Sequence, residues 1–73
     1  MSAVEWRPNV RAIEEARIRR CWTLRRLSRE ARLSYPTVIN LVLGRTKPNF
    51  GTLEQLGKAL DLTTVDLVAF VED

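Results

Sequence analysis

The chain contains no histidine and only one cysteine in 73 residues, which removes most of the chemistry that a small domain could perform. With Cys21 as the lone thiol, no internal disulfide can form, and a structural zinc site is nearly excluded. Histidine is also a common general base, the carboxylates are scattered, and no glycine-rich phosphate loop is present. We therefore expect a protein that is not an enzyme and holds no metal or cofactor, with Cys21 as a partly buried thiol.

Long apolar runs are absent too. No stretch approaches the ~18 residues of a membrane span, and the first residues lack the basic start and apolar core of a signal peptide. The length of 73 residues predicts one domain. The absence of such runs predicts no membrane contact and suits the cytoplasm of a bacterium or a phage-encoded protein. Glycine and proline number three each, and no alternating β-branched run of strand length occurs, so the chain is predicted to be all-α.

Charge is distributed unevenly along the chain. Residues 1–48 contain ten arginines and one lysine against four glutamates, a net charge of +7. Residues 49–73 contain one lysine against five acids, a net charge of −4. A basic half on a small domain indicates a surface that meets a polyanion. The alternative is a solvated arginine-rich surface, and charge alone does not separate the two.

Five helices are predicted from polar capping residues followed by apolar residues at helical spacing. Helix 1 follows Asn9 and ends near Arg20 or Cys21, helix 2 follows Thr23, helix 3 spans about Pro36 to Leu43, helix 4 follows Asn49, and helix 5 spans about Thr64 to Val71. Residues 1–8 are assigned to an N-terminal arm and residues 9–73 to the domain. Either Ser34 or Tyr35 could cap helix 3. Thr63 and Asp66 have the spacing of a capping box.

The stretch from Thr23 to Gly44 predicts two short helices joined by a tight turn, the core of a helix-turn-helix. The residues at matching spacing, inside this stretch and on both sides of it, are Arg17, Leu27-Ser28, Leu33-Ser34, Val38, Leu41, Gly44-Arg45-Thr46-Lys47-Pro48, Thr52-Leu53, Leu56 and Ala59-Leu60. In this order they resemble the Cro/CI-type, Xre-like family of phage repressors, from about Ile13 to Leu67. The resemblance implies a compact five-helix lambda-repressor-like DNA-binding domain, with the helix-turn-helix at helices 2 and 3.

Three positions depart from the family pattern. The turn position, often glycine, is Arg32, and a left-handed backbone there costs roughly 1 kcal/mol. The first residue of helix 2, often a glutamine that touches phosphate, is Leu24. Val42 replaces the acid that usually pairs with Arg17. Arg17 must therefore find another acid such as Glu14, lie at the surface, or turn toward DNA phosphate, because a buried unpaired arginine is too costly.

The resemblance implies that helix 3 docks in the major groove by its N-terminal residues. If Val38, Leu41 and Val42 face the core, then Pro36, Asn40 and Leu43 point away from it at about 100° per residue. The predicted base-contacting residues are Tyr35, Pro36, Thr37 and Asn40. Asn40 can bond bidentately to adenine, and the apolar groups suit thymine methyls, so an A·T-leaning site is expected. Tyr35-Pro36 could instead be only a favourable helix start.

Phosphate contacts are implied at the starts of helices 2 and 4 and in the loop between helices 3 and 4. The residues at these positions are Thr23, Arg25, Arg26, Arg45, Lys47 and Asn49. For each basic residue the alternative is a solvated surface charge. Entry of Arg7 into a minor groove is disfavoured. Trp6 is expected to pack on helix 1 or helix 5.

The predicted partner is double-stranded DNA, bound by a homodimer on a two-fold site. Dimerisation is expected through helix 5 or the region from Lys47 to Phe50, although the chain could also be the DNA-binding part of a longer repressor. The alternative function is a protein-interaction module on the same fold, such as an antitoxin that grips its partner through helix 5 or the arm. The retained basic residues Arg25, Arg26, Arg45 and Lys47 favour DNA.

Overall fold

The computed structural model describes residues 5–71, with the side chain of Val71 left out. Residues 1–4 of the predicted arm and residues 72–73 lie outside that range. The helices are α1 Val10–Arg19, α2 Leu24–Ala31, α3 Tyr35–Val42, α4 Phe50–Leu60 and α5 Thr64–Leu67. Two strands, β1 Glu5–Pro8 and β2 Val68–Val71, form a small antiparallel sheet. The fold is therefore mainly helical, as predicted.

Each helix begins at a polar side chain that accepts a hydrogen bond from a backbone amide three residues later, as helix N-caps do. The caps are Asn9, Thr23, Ser34, Asn49 and Thr63. Ser34, rather than Tyr35, caps α3. Thr63 and Asp66 form the predicted capping box. These short polar side chains fix where the helices start, because they satisfy amides that the helix itself leaves without partners.

Several helices end in a residue with a left-handed backbone, and most of these residues are not glycine. Gly44 has φ 72°, but Cys21, Arg32 and Asp61 have φ values of 56°, 58° and 56°. At the end of α2 the Leu33 amide donates to the Ser28 carbonyl at 2.9 Å, the 6→1 bond of a Schellman motif. The turn of the helix-turn-helix therefore carries the strain expected for Arg32. Cys21 is exposed, so the prediction of a partly buried thiol is wrong.

Replacing Arg32 by glycine will raise the free energy of unfolding by about 1 kcal/mol, because glycine adopts φ 58° without the Cβ clash. Arg29→Gly, at an exposed position inside α2, should lower it by about 0.5–1 kcal/mol. Urea denaturation of both variants measures the difference. Destabilisation of similar size by both substitutions would contradict left-handed strain at Arg32.

The core lies between all five helices. Eight side chains are less than 2% exposed: Ile13, Leu27, Val38, Leu41, Leu53, Leu56, Leu60 and Leu67. Val42, Leu24 and Ala59 pack partly against this cluster. Val42 and Leu24 therefore serve packing at positions where the family often has polar residues. Their apolar character adds to the core of a small domain.

Helix 5 is shorter than predicted, and the extension to Val71 is wrong. The chain leaves the helical conformation at Val68, with φ −120° and ψ 147°, and continues as β2. Val68 pairs with Pro8 and Phe70 with Trp6 in the antiparallel register. The VAFV segment is β-branched and aromatic, which suits a strand once a partner is present. The partner is β1, from the segment assigned to the arm.

Trp6 packs differently from the prediction of a contact with helix 1 or helix 5. Its ring stacks on Phe50, the first residue of α4, with centroids 5.5 Å apart and planes at 20°. Trp6 is half-buried and also packs against the core cluster. The sheet therefore attaches the beginning of the described chain to the start of α4.

Candidate nucleic-acid interface

The outer surface of α3 is set by burial of its opposite side. Val38 and Leu41 are 1% exposed, which fixes the rotation of the helix about its axis. Pro36 and Leu43 are exposed, whereas Asn40 is half-buried. The predicted outward directions of Pro36 and Leu43 are therefore confirmed. Leu43 is 58% exposed, so this surface is less polar than a hydrated helix face normally is.

The Asn40 carboxamide is the polar group of α3 best suited to distinguish one DNA base from another. Within residues 5–71 its carboxamide forms no hydrogen bond, although its backbone carbonyl accepts one from the Arg45 amide at 2.9 Å. A carboxamide has both a donor and an acceptor, which matches the N6 and N7 positions of adenine. The side chain can therefore accept a base partner without first breaking a contact inside the described protein.

The beginning of α3 is held by local hydrogen bonds. Ser34 Oγ lies 2.6 Å from Thr37 Oγ1 and 3.3 Å from the Thr37 amide. Pro36 occupies the first helical turn, where its missing N–H is no loss. The Thr37 hydroxyl is therefore engaged in the cap, and its methyl group is the part better suited to meet a base.

Arg25 connects the start of α2 with the start of α3. Its guanidinium carbon lies 4.2 Å from the centroid of the half-buried Tyr35 ring, a close cation–π distance. Arg25 forms no ion pair within residues 5–71. This contact places a full positive charge beside the end of α3 that carries the predicted base-contacting residues.

Thr23 and Arg26 are exposed at the start of α2, but both make contacts inside the protein. Thr23 Oγ1 accepts a hydrogen bond from the Arg26 amide at 3.0 Å, and Arg26 Nε donates to Glu30 at 3.0 Å. The Arg26 guanidinium also lies 5.4 Å from the Trp22 ring. Because Arg26 is already ion-paired with Glu30, it is a weaker candidate for binding phosphate than Arg25.

The loop after α3 presents two exposed basic side chains on a fixed backbone. Gly44 permits the left-handed turn, and buried Pro48 anchors the far end of the loop. Arg45 and Lys47 are exposed between them. The Lys47 ammonium lies 4.3 Å from the centroid of the Trp6 ring, so β1 holds the side chain of a predicted phosphate ligand.

Asn49 follows this loop as the cap of α4. Its Oδ1 accepts a hydrogen bond from the Thr52 amide at 2.8 Å, and the residue is exposed. The oxygen is therefore committed to the helix, while the amide nitrogen remains the part that can donate to an anion. A phosphate at this place would also meet the positive end of the α4 dipole.

Two arginines outside the predicted site serve the fold. Arg17 donates to Glu14 from Nε at 3.0 Å and from Nη2 at 2.7 Å, and to the Trp22 carbonyl from Nη1 at 2.6 Å. Arg20 donates from Nη2 to the Leu60 carbonyl at 2.8 Å. Of the alternatives for Arg17, the pairing with Glu14 is the one observed. Neither arginine has a guanidinium left fully available to DNA.

The contacts of Trp6 with Phe50 and with Lys47 were not predicted from the sequence. Trp6 is distant in sequence from Lys47, so no local spacing could indicate their contact. The aromatic character of Phe50 at the first position of α4 was the only available signal.

No group of histidine, cysteine and acidic side chains capable of holding a metal ion occurs among residues 5–71. Within the same range, no helix is both long and apolar enough to span a membrane.

The geometry is that of a helix-turn-helix domain with Arg25 beside the start of α3 and two further basic side chains, Arg45 and Lys47, in the loop after this helix. A protein-family model described as helix-turn-helix matches residues 13–67. The match covers well over half of the chain, which therefore belongs to this family, the Xre-like proteins of Cro/CI type. The family consists of DNA-binding transcription regulators and is not catalytic. No curated protein and no solved structure matches the chain.

Proposed function

We propose that this protein is a sequence-specific transcriptional repressor that reads the major groove of double-stranded DNA with α3. The observation that supports this best is the half-buried Asn40 carboxamide of α3, which forms no hydrogen bond within residues 5–71, with Arg25 stacked on Tyr35 at the start of the same helix. Base-reading groups and a phosphate-binding charge are thus presented together, as major-groove recognition requires.

In this proposal the bases are contacted by Tyr35, Pro36, Thr37 and Asn40. Asn40 pairs with adenine, and the Pro36 ring and Thr37 methyl meet thymine methyl groups. Tyr35 keeps its hydroxyl for a phosphate or a base edge while its ring supports Arg25. An A·T-rich half-site is the consequence.

The duplex backbone is held on both sides of α3. From α2, the backbone of one DNA strand is contacted by Thr23, Arg25 and Arg26. The other end of the half-site is contacted by Arg45, Lys47 and Asn49. Such contacts set the position of the helix without selecting sequence. The preformed Lys47–Trp6 and Arg25–Tyr35 contacts support this assignment, because less side-chain entropy is lost on binding.

The proposed assembly is a homodimer that places two α3 helices on half-sites about 34 Å apart. Phe50 in the region from Lys47 to Phe50 and Phe70 beyond α5 are each 65% exposed, which supports dimerisation through these parts of the molecule. The proposed compartment is the cytoplasm of a bacterium, where such a regulator meets DNA. The division into an arm, residues 1–8, and a domain, residues 9–73, belongs to the same proposal, with β1 as the part of the arm that docks.

The proposal is tested by selecting bound sequences from a random duplex library at two salt concentrations. We expect a two-fold symmetric, A·T-leaning consensus that persists at the higher salt. Weak binding that is independent of sequence and falls steeply with salt would overturn the repressor proposal, because that behaviour comes from phosphate contacts alone.

Asn40→Ala will relax the preference at one or two base pairs by about 1–3 kcal/mol, since one bidentate contact is lost. Arg45→Ala, by contrast, will weaken binding to all sequences alike. Binding titrations with the selected duplex and with single-base variants measure both effects. Equal losses on every duplex from Asn40→Ala would place the reading surface elsewhere.

A protein-interaction function on the same fold, of antitoxin type, is the second candidate. It is favoured by the exposure of Val65 at 75% and of Phe70 at 65%, since both lie on or next to α5. The library selection separates the two functions, because a protein-binding module without DNA recognition would select no consensus.

A further inference from the structure

A groove of about 550 Å³ lies between β1 and the loop after α3. Residues 5–8 together with Val10 form one wall, and residues 44–47 form the other. The groove borders Arg45 and Lys47 but adds residues from a strand that lies outside the family match at residues 13–67. It is therefore a feature of this chain that membership of the family does not supply.

The charges that line the groove are mostly positive. Arg7, Arg45 and Lys47 contribute three positive charges against the one carboxylate of Glu5. Glu5 and Arg7 are exposed because they alternate along β1 with the half-buried Trp6 and Pro8. Within residues 5–71, none of the three basic side chains forms an ion pair. Their charge remains available to an external anion.

The two walls are held together before any ligand binds. Pairing of β1 with β2 fixes Trp6, which stacks on Phe50 at 5.5 Å and carries the Lys47 ammonium at 4.3 Å. Arg7, one residue further along β1, pairs with Ala69. The backbones of the strand and the loop, together with the Lys47 side chain, are therefore held at a fixed spacing before DNA binds.

From these observations we propose that the groove binds a phosphate of the DNA backbone, with Arg7 as its additional ligand. The inference rests on the proposed function, because the duplex must already be held by α3 and the loop. DNA is favoured over a free anion because the groove continues the surface of Arg45 and Lys47, and a duplex carries one charge per about 1.7 Å of its axis. Glu5 weakens the site, since it adds a negative charge to the lining of the same groove.

The test measures the dissociation constant of the selected duplex over a range of salt concentrations. Arg7→Ala should reduce the slope of log K against log salt by about 0.9, which corresponds to about fivefold weaker binding near 0.15 M salt. Arg7→Lys should keep the slope. Glu5→Gln should bind more tightly than wild type. Because Glu5 and Arg7 lie on one strand, a general loss of β1 structure cannot produce effects of opposite sign.

Arg19→Ala is the matched control. Arg19 is exposed, and its replacement by alanine removes the same charge as Arg7→Ala. It lies in a separate surface depression with Glu15 and Asp66. The inference would be overturned by an unchanged salt slope in Arg7→Ala, or by equal reductions of the slope in Arg7→Ala and Arg19→Ala. In either case a consensus selected by the wild-type protein would leave the proposed function intact. A wild-type protein that selects no consensus and binds no duplex would overturn both.

Discussion

Replacing Arg17 by alanine will lower the free energy of unfolding by about 2–3 kcal/mol, the cost of losing several charge-assisted hydrogen bonds at a partly buried position. The Arg17 side chain is only 17% exposed and binds Glu14 through two nitrogens. It also donates to the Trp22 carbonyl, in the connection between α1 and α2. In a domain of this size the change corresponds to a fall in Tm of about 10–20 °C, which thermal denaturation followed by circular dichroism will measure.

Arg11→Ala is the control, because it removes a similar pair from the same helix. Arg11 Nε lies 3.1 Å from Glu15, but the two side chains are 89% and 52% exposed. Pairs of this kind contribute about 0.3–0.5 kcal/mol. Losses of the same size from both substitutions would mean that helix propensity or general charge, rather than the partly buried network, explains the result.

The stability difference between wild type and Arg17→Ala should also be independent of pH from about 6 to 10. The hydrogen bond to Glu14 raises the pKa of Arg17 above its ordinary value, against the opposing effect of burial. A raised pKa means that the stabilisation is complete at lower pH and is lost only as the pH rises through that value. A difference that shrinks on going from neutral pH to about 10 would contradict this origin.

The starts of the helices could be predicted because their cause is local. Asn9, Thr23, Asn49 and Thr63 were assigned as caps from their position before apolar residues at helical spacing, and all four cap helices. The left-handed turn at Arg32 was also predictable, although only through the family resemblance. Local hydrogen bonds and turn geometry leave a direct trace in neighbouring residues.

The sheet could not be predicted, because its two strands come from opposite ends of the chain. Each is four residues long, and β1 contains a proline, so neither gives a periodic signal. Val68 to Val71 is equally compatible with an apolar helix end until a partner strand is known. The prediction therefore extended helix 5 across residues whose conformation is decided by Glu5–Pro8.

The same distinction between local and long-range contacts applies to the candidate site. The outward direction of Pro36 and the engagement of Arg17 with Glu14 follow from helix geometry and could be anticipated. The stacking of Arg25 on Tyr35 and of Lys47 on Trp6 joins separate elements and could not. These contacts between elements decide which of the basic side chains are held in place beside α3.

The largest effect expected from a single added methyl group is at Gly57, where alanine will lower the free energy of unfolding by about 2–3 kcal/mol through overpacking. Gly57 is buried in α4, and a Cβ built there would lie 2.6 Å from the Leu62 carbonyl oxygen and 3.4 Å from Leu67 Cδ1. The Gly57 carbonyl also accepts the Leu62 amide at 2.9 Å, so the chain turns back closely at this point. Urea denaturation will measure the loss.

Gly51→Ala distinguishes this steric cost from the general effect of glycine in a helix. Gly51 is exposed in the same helix, where a Cβ would lie 3.3 Å from the Asn49 side-chain oxygen, and its replacement should change stability by less than about 1 kcal/mol. Alanine favours a helix over glycine by about 1 kcal/mol, so a loss at Gly57 must overcome that gain. Relief of the Gly57 clash requires movement of the backbone between α4 and α5, and α5 continues directly into β2.

Since β2 pairs with the strand that carries Trp6 and Arg7, the Gly57→Ala substitution should also weaken DNA binding at temperatures where the variant remains folded. Stability equal to wild type in Gly57→Ala would show that the connection yields freely and does not hold the sheet in place.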